Sequence, residues 1–158
     1  PDDRLRGMLF WLMGDLAQAS DWWPSLLALL VALALSMPFA RELNLLARGM
    51  MQAQALGVAV NRLRYAVFLL ASLATAASVT TAGSIGFIGL VIPHLVRLAT
   101  GNDQRLLLPA SVLAGGSLLV LADTLARTMI APQQLPVGVL TALIGVPVFL
   151  YLLSRQAK

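Results

Sequence analysis

Cysteine is missing from this 158-residue chain, histidine occurs once, and only seven residues are acidic. Without cysteine there is neither a disulfide nor a thiolate-bound metal. A single imidazole, His94, cannot build a metal site alone, and the nearest acid along the chain is Asp103. No Walker A loop, nucleophile triad or pair of carboxylates is present. Hydrolytic chemistry and ATP binding therefore have no carrier in these residues, and no cofactor or metal is expected. Charge is scarce as well, at 11% against about 25% in soluble domains.

What fills the space is apolar. Hydrophobic residues make up 59% of the chain, above the roughly 45–50% of soluble domains. A soluble protein of this size could not cover such a surface with polar groups, so the solvent is a bilayer. The net charge of +4 does not indicate nucleic acid, because the basic residues are scattered at the ends of apolar segments rather than gathered on one face. They act instead as topology signals.

The segments differ in what they can do. Residues 5–16 hold Phe10, Trp11 and two methionines but are short and flanked by charge, which predicts an interfacial helix. Residues 23–39 open on the aromatic anchor Trp22–Trp23 and predict the first span. Residues 41–64 are polar but competent for helix. Four further apolar segments follow, at 65–81, 85–99, 106–131 and 135–153. A crossing needs about 20 apolar residues, which 106–131 and 135–153 supply and 65–81 approaches. The segment 85–99 is short and contains Pro93, so it is plausible only when surrounded by protein.

These segments predict an all-α, polytopic transmembrane bundle. It has about five spans, an interfacial helix and short cytoplasmic helices in 41–64. The whole of 1–158 reads as one membrane domain, with 65–158 carrying the last four transmembrane helices.

Charge sets the orientation. With 41–64 in the cytoplasm, Arg41, Arg48, Arg62, Arg64, Arg97, Arg105, Arg155 and Lys158 fall inside and only Arg4, Arg6 and Arg127 outside, which is 8 of 11 basic residues. The opposite orientation violates the positive-inside rule at almost every loop. The chain is thus expected to start outside and end in the cytoplasm. An odd number of spans predicts the C-terminal half of a larger membrane protein. The pattern of a signal peptide is not found at its start.

Few residues can carry function. Gly83, Gly86 and Gly89 recur at intervals of three ahead of Pro93, as small residues do where helices pack closely in lipid. His94 reads either as a proton relay or ligand, or as a helix-end histidine bonded to backbone. Asp123 and Arg127 are four apart and can pair on one helix face, either as a structural bridge or as a cation presented to an external partner. An enzyme using His94 and Asp123 is the alternative from another class, although the topology puts the two at opposite membrane faces. An inert inserted fragment is a third reading. In 41–64, Leu43, Leu45, Leu46, Met50, Met51, Leu56 and Val58 alternate with polar residues, and Gly49 and Gly57 interrupt them. This predicts two short amphipathic helices, lying on the membrane or docking into a groove on a cytoplasmic partner, a contact that adaptable methionines suit.

Several runs together carry a resemblance. They are Gly83-Ser84-Ile85-Gly86-Phe87-Ile88-Gly89-Leu90-Val91-Ile92-Pro93-His94-Leu95-Val96-Arg97, Gly101-Asn102-Asp103-Gln104-Arg105-Leu106-Leu107-Leu108-Pro109, Leu121-Ala122-Asp123-Thr124-Leu125-Ala126-Arg127, Leu135-Pro136-Val137-Gly138 and Gly145-Val146-Pro147. The chain resembles, from about Leu9 onward, the second half of FecCD-type permeases of bacterial ABC importers, which carry iron-siderophores, haem and vitamin B12.

The resemblance implies a ten-span permease in the inner membrane and a second permease half or subunit. It also implies separate ATPase subunits in the cytoplasm and a periplasmic substrate-binding protein. Residues 43–60 are similar to the family's coupling loop, which implies ATPase contacts for Leu46, Gly49, Met50, Met51, Ala53, Leu56 and Gly57. Acids are frequent in the family where Met50 and Met51 stand, and arginine where Gln54 stands, so the implied docking is apolar. Arg127 stands where some members have an arginine that meets a glutamate of the binding protein. Gln104 replaces a frequent histidine, and Gln134 a frequent glutamate.

Overall fold

The computed structural model describes residues 2–17, 21–129 and 134–156, and every regular element among them is helical. The predicted end of the fourth span at Ala131, and Lys158 of the basic tail, lie outside the described residues. The helices are α1 (Asp2–Met13), α2 (Trp23–Ser36), α3 (Ala40–Leu46), α4 (Met50–Ala55), α5 (Val60–Ala82), α6 (Ile88–Thr100), α7 (Gln104–Thr128) and α8 (Val137–Gln156).

Proline and glycine set many of the boundaries. Pro24 sits in the first turn of α2, where its missing N–H costs nothing. Pro38 tightens the chain into a 3-10 turn, Met37–Phe39, between α2 and α3. Gly83 (φ +71°) stops α5, and Gly101 (φ +84°) stops α6. Asp103 starts α7 as its N-cap, accepting from the Arg105 N–H at 3.1 Å. Pro93, Pro109 and Pro147 lie inside helices, which is tolerated in membranes where neighbours re-satisfy the freed carbonyls.

Among the described residues, four stretches are long and apolar enough to cross a membrane: Trp23–Leu46, Val60–Ala82, Gln104–Thr128 and Val137–Arg155. The predicted segment 85–99 becomes α6, which has 13 residues. At 1.5 Å per residue it reaches about 20 Å, short of a hydrocarbon core of about 30 Å. The predicted polar stretch 41–64 is shortened from its far end, because Val60, Asn61, Arg62, Leu63 and Arg64 already belong to α5.

Packing pairs α2 with α5, and α6 with α7 and α8, while α3 touches both α5 and α7. Ser25, near the start of α2, donates to the Ala77 carbonyl and bonds Thr81, near the end of α5, so those helices run antiparallel. One end of the bundle is a junction of α1, α5 and α8. Asp15 N–H donates to Ala82 at 2.9 Å, Gly138 N–H to Gly14 at 3.2 Å, and Ser84 Oγ to the Leu12 carbonyl at 2.5 Å. The opposite end holds α3, α4, the start of α5 and the α6–α7 turn.

Little is buried. The core is mostly small or branched, with Ala40, Ala53, Val60, Leu63, Val91, Ile92, Leu107, Ala122, Ala126, Val137 and Leu152 at its centre. The chain exposes 10,929 Å², where a soluble monomer of its mass would expose roughly 7,700 Å². Leu, Phe and Val side chains on α2, α5 and α7 account for much of the excess, and such a surface calls for lipid or protein cover.

At Gly83 a Cβ would lie 1.9 Å from the Trp11 carbonyl oxygen, on a backbone that already disfavours side chains. Gly83→Ala is therefore expected to cost at least about 2 kcal/mol. Gly116→Ala, in open space in α7, is expected to stabilise by about 0.5–1 kcal/mol. Thermal melts of the intact protein in detergent measure both.

Candidate functional site

The α3–α4 pair takes its shape from two glycines. Gly49 (φ +130°) turns the chain between the helices, and Gly57 (φ +82°) closes α4. At that closure Gly57 N–H donates to Gln54 and Val58 N–H to Ala53, the two bonds of a Schellman motif. The turn puts Met51 and Leu56 outward, 85% and 66% exposed, with Met50 exposed beside them. Ala53 faces inward and is fully buried. Of the coupling residues expected from the sequence, Ala53 therefore holds α4 to the body and offers no contact surface. Leu46 turns toward α5 and lines an apolar cleft of about 550 Å³ with Leu43, Leu63, Tyr65 and Phe68.

Asn44, on α3, makes a contact that the sequence did not announce. Its Nδ2 donates to Asp103 Oδ1 at 2.8 Å, and its Oδ1 accepts from the Gln104 N–H at 2.8 Å. Asp103 Oδ1 also accepts from the Arg105 N–H at 3.1 Å. The amide of Asn44 and the cap of α7 form one clasp beside a polar cleft of about 430 Å³ lined by Ala47, Arg48 and Asn102. The Asn44 amide, the Arg105 N–H and the Arg105 charge hold the Asp103 carboxyl below its ordinary value of 3.8.

At the other end, Arg127 Nε donates to Asp123 Oδ2 at 2.8 Å, the i,i+4 pair expected on α7. Both side chains are partly exposed, so the pair contributes only about 0.3–0.5 kcal/mol. Its effect is to fix where the cation sits.

The glycines of the signature divide. Gly83 is buried against Trp11, whereas a Cβ at Gly86 or Gly89 would meet nothing within 4 Å. The close packing expected of Gly86 and Gly89 is not made within the described residues, because both face away from the neighbouring helices. Between them Phe87 takes a left-handed backbone, φ +67°, uncommon for a bulky residue. Gly145 of α8 leaves it room, since a Cβ there would come within 2.4 Å of the Phe87 Cβ. Pro93 and His94 are half-buried within α6.

His94 and Asp123 are not brought together. Counted from the α6–α7 turn, His94 lies about 10 Å up one helix and Asp123 about 28 Å up the other. Asp123 is committed to Arg127. Among the described residues, no group of three or more His, Cys, Asp or Glu could hold a metal.

Residues 1–155 match the FecCD transport family. The chain is 46% identical to the hemin transport system permease protein HmuU of Yersinia pestis, with 99% of this chain and 48% of that protein aligned. It is 47% identical to the cobalamin import system permease protein BtuC of Halobacterium salinarum, over 96% of this chain and 41% of that one. The Fe(3+) dicitrate transport system permease protein FecD of Escherichia coli is 47% identical, over 99% and 49%. A solved structure of a metal-chelate type ABC transporter in an inward-facing conformation superposes with a TM-score of 0.85 and 36% identity, covering 96% of this chain and 49% of that one. The chain spans about half the length of the relatives it matches.

Because the folded pKa of Asp103 is depressed, its stabilising effect is complete above 3.8 and fades as the pH falls through the lower folded value. The clasp is thus intact at neutral pH. Asn44→Ala removes the largest cause of the shift, so the Asp103 pKa is expected to rise toward 3.8, as read by a carboxyl carbon-13 titration.

Proposed function

The chain belongs to the FecCD transport family, and from that premise we propose that it forms the C-terminal half of the permease of an ATP-driven, binding-protein-dependent importer. The cargo is an iron-siderophore, haem or cobalamin, in keeping with the names of its relatives. The protein sits in the bacterial inner membrane as a multi-pass subunit with its C-terminus in the cytoplasm, since that orientation puts most of the arginines inside.

The observation that carries this reading is the α3–α4 pair. α3 ends the apolar stretch Trp23–Leu46, and Gly49 and Gly57 set α4 off from it and from α5, leaving Met51 and Leu56 exposed. Exposed apolar side chains on a rigid turn are what a groove on an ATPase subunit would bury, each for roughly 1.5–3 kcal/mol. The chain has no nucleotide loop of its own, so ATP is hydrolysed on those separate subunits.

At the outer end Arg127 serves the periplasmic binding protein. Asp123 orients its guanidinium through Nε, and an acidic patch on the partner meets the cation. Such a contact governs association rate and register more than affinity. Between the two ends, the permease alternates between outward- and inward-open states by rocking one bundle against another, with its other half completing the path.

Met51→Glu with Leu56→Glu in the complete permease is expected to weaken ATPase binding on the order of 100-fold, from about 3 kcal/mol of lost burial. Copurification of the ATPase measures this, and undiminished copurification would remove the docking role. Arg127→Glu is expected to slow binding-protein association and flatten its salt dependence while leaving ATPase copurification intact. Stopped-flow kinetics at two ionic strengths measures that effect.

A further inference from the structure

The α3–α4 pair is tied to the rest of the chain unequally. Toward α5 it is joined covalently, through Gly57, Val58 and Ala59. Toward α6 its covalent path is the whole of α5, and toward α7 the whole of α5 and α6. Among the described residues, each backbone hydrogen bond of residues 40–59 is local. Among the described residues, Asn44 makes two side-chain hydrogen bonds out of this stretch, donating to Asp103 Oδ1 and accepting from the Gln104 N–H, each 2.8 Å.

The chemistry of the position is specific. The clasp needs a side chain that donates to a carboxylate and accepts from a helix N-terminal N–H at the same time. A carboxamide does both; a carboxylate cannot donate, and an aliphatic group can do neither. Asp103 is equally committed, since one oxygen caps α7 and receives Asn44. Motion of α3 therefore reaches the first turn of α7 through a pair of short polar bonds. From there it reaches α6, which packs along α7.

We propose that Asn44 is the positioning residue through which the coupling helices move the α6–α7 hairpin, with Asp103 as its anchor. This rests on the permease reading above and adds to it a transmission point that touches neither ATPase nor cargo. Without the clasp, the ATPases still bind α3–α4 and still hydrolyse ATP, but the hairpin no longer follows.

The test uses the complete importer, permease with ATPase and binding protein, in proteoliposomes. Uptake of hemin, cyanocobalamin and ferric dicitrate is measured together with ATP hydrolysis, and the probe that the wild type imports is used for the variants. Asn44→Ala keeps the Asp103 cap and is expected to hold ATP hydrolysis within about twofold of wild type. Uptake per ATP is expected to fall about tenfold. Asp103→Asn, whose Oδ1 can accept both bonds, is expected to keep uptake per ATP near wild type. The chain has no native cysteine, which allows a rescue. N44C/N102C is expected to behave like Asn44→Ala until a short thiol-reactive cross-linker spans the cleft and restores coupling, which loss of folding would not permit.

Normal uptake per ATP in Asn44→Ala overturns the proposal, as does an Asp103→Asn variant as uncoupled as Asn44→Ala. So does a cross-linked N44C/N102C protein that stays uncoupled. A wild-type importer that binds no ATPase and takes up none of the three probes defeats the permease reading instead, and the clasp's role with it.

Discussion

Hydrocarbon offers no hydrogen bond to a peptide group, and the architecture of this chain follows from that. Every regular element among the described residues closes its backbone bonds within a helix, which is the open-chain solution the bilayer permits. The same solvent removes the usual penalty on apolar surface, so many leucines, valines and phenylalanines stand outward on α2, α5 and α7 while a small core of alanines, valines, three leucines and an isoleucine is buried. Adhesion then depends on close backbone approach. It is closest where Trp11, Met13, Gly83 and Gly138 meet with no room for a Cβ at either glycine. Polar connections survive where the chain leaves the spans, at the Asp123–Arg127 pair and at the Asn44–Asp103 clasp.

The number and kind of elements were legible because length and hydropathy decide them. Segments 106–131 and 135–153 correspond to α7 and α8 with small shifts at their described ends, and the short segment 85–99 corresponds to the 13-residue α6. The two short helices α3 and α4 followed from alternating Leu and Met broken by Gly49 and Gly57, and both glycines do take positive φ. Asp103 could have been picked as a cap, since an aspartate directly ahead of a helix is a strong start signal.

Other features were beyond one-dimensional reading. Asn44 sits in a run of leucines and gains its meaning from a residue 59 positions away. Ala53 shares the amphipathic pattern of its neighbours, yet it is the residue turned inward, because Schellman closure at Gly57 fixes which side of α4 meets the body. The spacing of Gly83, Gly86 and Gly89 suggested one packing stripe. Gly83 caps the end of α5 and Gly86 lies in the turn that follows, so Gly89 alone of the three stands on α6 and they do not share a face. Phe87 carries a backbone conformation usually left to glycine, and nothing in its side chain announces that.

The length of α6 bears on how the protein is made. A 13-residue helix with proline inside it is a poor substrate for a translocon that partitions segments one at a time by their affinity for lipid. The three-residue turn after α6 leads into α7, one of the apolar spans. Biosynthesis accordingly favours entry of α6 together with α7 as a single hairpin, the longer partner drawing the shorter one in. The membrane position of α6 is thus settled only after the ribosome has translated well past it.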